Sequence, residues 1–214
     1  MDFSTLLLYQ DVQLLGLAAE FIAVTCIGAL SPGPLTLAVA GKGAEEGWCA
    51  GAKAAMGHVA VEFPLVILAG VGASALLAEG RATTLISVVG GAALLVFALL
   101  FVKNAADQLR GRRSVVRVGN ITLGAAFSLL NPHFIAWWAT AGLKVVADVV
   151  SYGGLALLAL LYPLHAGIDA GWLALVAHAS HRGAALNERV GPALSIIAAL
   201  LMACYGVMFI LEAL

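Results

Sequence analysis

Six apolar stretches, each long enough to cross a lipid bilayer, constrain this chain more than any other feature. They run over about 14–40, 53–78, 82–103, 119–142, 152–178 and 190–212. A bilayer core of about 30 Å needs about 20 mostly apolar residues in a helix. Polar or small residues separate the stretches, in "GKGAEEGW", "AEGRA", "KNAADQLRGRRSVVRVG", "GLKVVAD" and "SHRGAALNER". A water-soluble alternative fails on composition. The chain is 62% hydrophobic and 11% charged, against about 25% charged in soluble domains. The expectation is one all-α integral membrane domain over 1–214, a multi-pass protein of the cell (plasma or inner) membrane.

Basic residues orient it. Loops 1–2, 3–4 and 5–6 carry Lys42, Lys53, Lys103, Arg110, Arg112, Arg113, Arg117, Arg182 and Arg189; the opposite side carries Arg81 and Lys144. Cytoplasmic loops hold the excess of Lys and Arg, so both termini are expected outside and the 103–118 loop in the cytoplasm. The Arg-rich loop reads as an orientation signal with contacts to lipid head groups. A net charge of −1 gives no reason to expect a nucleic-acid partner. No Lys or Arg precedes Lys42, so no cleaved signal peptide is read.

Within the first stretch stands "LSPGPL", residues 30–35. Proline inside a helix removes a donor and clashes with the preceding turn, so this segment is a break. Its echo is "LLNPHF" in the fourth stretch, where Asn131-Pro132-His133 follows Ser31-Pro32-Gly33 by 100 positions. A second echo pairs His58 and Glu62 with His165 and Asp169, 107 positions on. Three spans per half is an odd number, so the second half must run the opposite way. The reading is two inverted three-helix repeats, about 14–103 and 119–212, joined by the loop 104–118, with helices one and four broken. Interrupted helices build midplane sites in secondary transporters, and half-helix N-termini attract anionic groups. Ser31, Pro32, Gly33, Pro34, Asn131, Pro132 and His133 are therefore expected to face each other across a substrate pathway.

Glu62 and Asp169 lie deep in spans two and five, where a charge costs at least about 2.5–3.5 kcal/mol and usually has a function. The i, i+4 spacing puts each carboxylate on one face with its histidine. Together the four are expected to carry protons or bind a cationic group. Trp172 follows Asp169 by three positions and is expected to wall the site; Trp137 and Trp138 are belt residues or site walls.

On "LSPGPL", "GKGAEEGWCAGAKAAMGH", "LNPHF" and "DAGW", the chain resembles the lysine exporter (LysE/RhtB) family of amino-acid translocators over nearly its whole length. The spaced glycines Gly43, Gly47, Gly51 and Gly57, and Gly206 in the last span, fit the same order. The resemblance implies efflux of amino acids or related small metabolites, driven by an ion gradient and without ATP; exchange with protons fits the carboxylate–histidine pairs. Carried over by position, Ser31, Pro32, Gly33, Pro34, Asn131, Pro132 and Asp169 take the central motif places. The chain departs from the family at His133, where Lys is common, and at His58, where an acid is common.

Two rivals are weighed. A divalent-metal exporter would use His58, Glu62, His165 and Asp169 as nitrogen and oxygen ligands. A thiol–disulfide electron carrier would need a cysteine in each half, yet the position 100 residues beyond Cys26 is Ala126. Cys26, Cys49 and Cys204 suggest no disulfide framework. No Gly-x-Ser-x-Gly, HExxH or phosphate loop occurs, so neither an enzyme nor a cofactor is expected. The partners expected are a small-molecule solute, membrane lipids and a second copy of the chain.

Overall fold

The computed structural model describes the backbone of residues 3–31, 33–72, 80–110, 118–187 and 189–213, with their side chains apart from residues 3–11, 80–87, 90, 132 and 212. Pro32, the side chains of Pro132 and Arg81, and Arg112, Arg113 and Arg117 lie outside the described residues. No strand occurs among those described. The elements are α1 (Phe3–Ala29), α2 (Pro34–Glu46), α3 (Trp48–Gly70), α4 (Gly80–Leu109), α5 (Asn120–Leu129), α6 (Pro132–Trp137), one turn of π-helix (Trp138–Gly142), α7 (Leu143–Leu186) and α8 (Val190–Glu212). Five segments are long and apolar enough to cross a membrane: Val12–Ala29, Trp48–Gly70, Gly91–Leu109, His133–Leu186 and Val190–Leu211. Large apolar side chains such as Leu99, Leu160 and Ile27 point outward, each more than 70% exposed. Apolar cover of that extent suits lipid.

Both helix breaks have one construction. α1 stops at Ala29 and α2 restarts at Pro34; α5 stops at Leu129 and α6 restarts at Pro132. In each, a proline takes the first helical turn, where the missing N–H costs nothing. The register differs from the sequence reading. Pro34, not Pro32, occupies the place of Pro132, because two more residues lie in the first break. The capping differs too. Asn131 Oδ1 accepts from the His133 N–H at 3.1 Å, whereas Gly33 offers α2 no side-chain cap.

The bend between spans four and five also differs from expectation. "GLKVVAD", read as a connection, is helical, and the chain turns instead at Gly153–Gly154 inside α7. Gly154 has φ 65°, a conformation that side chains resist. Lys144 lies on a helix and bonds Glu20 at 2.8 Å and Asp148 at 2.6 Å. Polarity there marked a wet helix face rather than a helix end. With that bend, the 54 residues His133–Leu186 reach roughly 80 Å at 1.5 Å per residue, enough to cross a bilayer twice.

Close packing sets the helix crossings. A Cβ added at Gly57 of α3 would fall on the Ile121 carbonyl oxygen, and one at Gly124 of α5 on that of Ala54. Gly51 meets the Leu173 carbonyl and Gly43 the backbone of Ala177 in the same way. Small residues let backbones approach where lipid supplies no hydrophobic force. Two apolar clusters result. One gathers Ala54, Leu123, Leu173, Ala177 and Phe101; the other gathers Phe21, Val66, Val146, Leu158 and Tyr162. Along α3 and α7, residues 58–62 and 165–169 lie between them.

The end of α2 is tied by polar side chains. Glu46 receives Lys42 Nζ at 2.7 Å and Asn120 Nδ2 at 2.6 Å. Glu45 receives Asn104 Nδ2 at 2.9 Å and also Gln108 Nε2. Burial pushes the Glu46 carboxyl up, but bonds from Lys42 and Asn120 and the charges of Lys42 and Lys53 outweigh it, holding it below the ordinary value of 4.5. A carboxyl lowered on folding stabilises the fold above its unfolded value and loses that contribution as pH falls through its folded value. Glu46→Gln is therefore expected to flatten acid destabilisation below pH 4.5, by less than about 1 kcal/mol for a carboxylate so exposed. Thermal melts of both proteins against pH check this.

Candidate functional site

The two His-x-x-x-carboxylate pairs meet. α3 brings His58 and Glu62, α7 brings His165 and Asp169, and the four form a closed ring. His58 Nε2 lies 3.2 Å from Glu62 Oε1 and 3.7 Å from Asp169 Oδ2. His165 Nε2 lies 3.0 Å from Glu62 Oε1 and 3.2 Å from Asp169 Oδ2. All four are buried; Glu62 is 2% exposed and Asp169 5%.

Each histidine is held from behind by a hydroxyl on a broken helix of the other half. His58 Nδ1 lies 2.6 Å from Ser128 Oγ on α5, and His165 Nδ1 lies 3.2 Å from Thr25 Oγ1 on α1. Ser128 donates its single proton to the Gly124 carbonyl at 2.8 Å. It therefore accepts from His58, so the Nδ1 of His58 carries a hydrogen. The opposite nitrogen, Nε2, then faces a carboxylate oxygen.

The two carboxylates differ in their bonding. Glu62 Oε1 accepts from Trp138 Nε1–H at 3.3 Å, and Oε2 from the Tyr162 hydroxyl at 3.1 Å. Asp169 Oδ2 and His165 Nε2 are buried and make no hydrogen bond. The π-helical turn beginning at Trp138 widens the helix where that indole turns to Glu62, a use of π turns common at functional sites. Gly142 makes room, since a Cβ there would meet the rings of Trp137 and Trp138. Trp137 stacks along His165 with centroids 6.5 Å apart, and Phe134 meets His58 edge-on at 5.2 Å.

The ring is part of the wall of a cavity of about 590 Å³. Ser31, Gly33, Pro34, Asn131 and His133 line it together with His58, Glu62, His165 and Asp169. Both breaks thus border the space that the carboxylates face. Trp172 is not among its lining residues. It packs against the cluster around Leu173 and Ala177, and its Nε1 has no hydrogen-bond partner. The i+3 offset from Asp169 left Trp172 on the side of α7 that packs inward. His133 sits against Phe209, with ring centroids 5.0 Å apart. None of the three cysteines lines the cavity; all are free.

Sequence reasoning missed Thr25, Ser128 and Tyr162. Thr25 and Ser128 stand 103 positions apart, between the offsets of the two echoes, so a search for paired hydroxyls would have found them. Tyr162 precedes His165 by three positions, on the same helix face. One ligand atom each from His58, Glu62 and Asp169 lie within 4.8 Å of one another, so these three could hold a metal ion.

The family model for LysE type translocators matches residues 26–213, from within α1 to the end of α8. No curated protein and no solved structure matches.

Proposed function

The chain belongs to the LysE type translocator family, and on that premise, which makes it a multi-pass membrane exporter of amino acids or related small metabolites, we propose that it exchanges its solute for protons. The solute occupies the cavity between the Pro-Gly-Pro and Asn-Pro breaks. His58, Glu62, His165 and Asp169 carry the coupling proton, and ATP takes no part. The two halves act as inverted repeats, with both termini outside and the 103–118 loop in the cytoplasm. The observation that carries this reading is the convergence of both helix breaks and both His–carboxylate pairs on one cavity. An ion site and a solute site in one small volume compete or exchange, which is what antiport requires.

Proteoliposomes test it. An imposed pH gradient is expected to drive a labelled amino acid up its own gradient, opposite in direction to the proton. Asp169→Asn is expected to abolish that response. Amino-acid movement indifferent to the pH gradient would overturn proton exchange. A second reading, export of a divalent cation, is favoured by the approach of His58, Glu62 and Asp169. Under it the same vesicles would move Mn²⁺ or Zn²⁺ and no amino acid.

A further inference from the structure

The cavity is asymmetric in a way its repeated motifs are not. At the α6 end, Asn131 caps the helix and bonds the His133 N–H. At the α2 end, Gly33 leaves the helix uncapped. The first N–H groups of a helix have no partner within it, and they carry its partial positive charge. For α2 these are Leu35 and Thr36, both on the cavity wall. Nothing in the backbone requires glycine at 33. Its φ of −135° and ψ of −178° are open to any residue, and a Cβ there would meet nothing within 4 Å. A capping side chain would fit and would stabilise α2 by roughly a few tenths of a kcal/mol over glycine, yet the position offers none.

The ring shows the opposite vacancy. Glu62 is bonded to Trp138 and Tyr162. Asp169 Oδ2 and His165 Nε2, each in a residue at least nine-tenths buried, have no hydrogen-bond partner. They stand 3.2 Å apart, and Glu62 Oε1 lies 3.0 Å from the same nitrogen. Glu62 and Asp169 each place an oxygen within 4.8 Å of the other, and two carboxylates so close repel unless a positive charge joins them. An ammonium group carries three N–H donors and a positive charge.

We infer that the cavity binds a zwitterion in one orientation, its carboxylate on the Leu35 and Thr36 N–H groups of α2 and its ammonium on Asp169 Oδ2. Glu62, already bonded to Trp138 and Tyr162, takes no part in holding the ammonium, and α6 is a closed end. The inference rests on the exporter reading and assigns each end of the solute to one half of the cavity. It selects solutes bearing both groups over those bearing one.

The test removes each end in turn. L-leucine, L-threonine and L-lysine, each with its carboxamide and its N-acetyl derivative, are titrated onto the purified full chain in detergent. Ligand-induced thermal stabilisation gives the affinities. The best-bound amino acid is expected to bind at least about tenfold tighter than either derivative, as charge-assisted bonds require. Gly33→Asn, which copies the cap of Asn131, is expected to bring the amino acid down to its amide and leave the amide unchanged. Without solute that variant is expected to melt no lower than the unaltered chain, so damage to the fold cannot explain the loss. Gly119→Asn caps α5, whose N-cap Gly119 is likewise bare, and is expected to bind as the unaltered chain does. Asp169→Asn is expected to bring the amino acid down to its N-acetyl form. Equal binding of amino acid and amide to the unaltered chain would overturn the inference alone, as would a Gly33→Asn variant that weakens both alike. Binding of none of the three amino acids, with or without stabilisation by Mn²⁺ or Zn²⁺, would overturn the exporter reading with it.

Discussion

Glu62→Ala is expected to abolish transport and to lower stability by about 3–5 kcal/mol, the usual cost of taking one member from a buried charged group. Three losses combine. The Trp138 and Tyr162 donors, at 3.3 and 3.1 Å, are left unpaired in an apolar setting. The nitrogens of His58 and His165, at 3.2 and 3.0 Å, lose the carboxylate that stands between them. A cavity opens where a side chain 2% exposed had been. Tyr162→Phe removes one bond to the carboxylate and is expected to cost about 1.5–3 kcal/mol. Unfolding in detergent together with vesicle transport would separate the effects. A Glu62→Ala protein as stable as the unaltered chain would show that the ring does not hold α3 and α7 together.

Gly57→Val should be as damaging, by a different route. The added Cβ would fall on the carbonyl oxygen of Ile121 and lie 2.8 Å from the Ala125 nitrogen. Backbone, not a movable side chain, stands in the way, so α3 and α5 must separate. The loss is expected to reach at least about 3 kcal/mol, the upper end for overpacked cores. Function should fall further than stability. The same crossing sets the 2.6 Å contact between His58, the next residue along α3, and Ser128, one turn from Gly124. Gly16→Ala is the control: a Cβ there meets nothing within 4 Å, and removing a glycine from a helix should stabilise by up to about 1 kcal/mol. Melting temperatures of the three proteins in one detergent decide it. A Gly57→Val protein that melts with the unaltered chain would refute the close crossing.

Much of the fold was legible in the sequence because its cause is local. Long apolar runs commit the chain to lipid whatever their partners, since water cannot hydrate them. Proline breaks a helix through its own ring, so both interruptions could be read from single residues. The i, i+4 spacing of His58 with Glu62, and of His165 with Asp169, fixes each pair to one face by helix geometry alone. Local signals failed where polarity and helix ends part company. Lys144 and Asp148 looked like a loop but decorate a wet helix face, and two glycines ten residues and less downstream make the turn. The first break was also misaligned, since only the helix start identifies Pro34 as the counterpart of Pro132.

The sequence by itself determined the solvent, the two breaks and the four ionisable groups within apolar segments. Each follows from the chemistry of one residue or one turn. Only the tertiary structure decided that the four groups close into one ring, that Thr25 and Ser128 hold its histidines, and that Trp172 packs away from the cavity. It also decided that Glu62 is fully bonded while Asp169 Oδ2 is not. Those outcomes depend on distances between helices of opposite halves. Such distances are set by how closely backbones approach at Gly57, Gly124, Gly51 and Gly43, and no repeat or spacing within one helix encodes them.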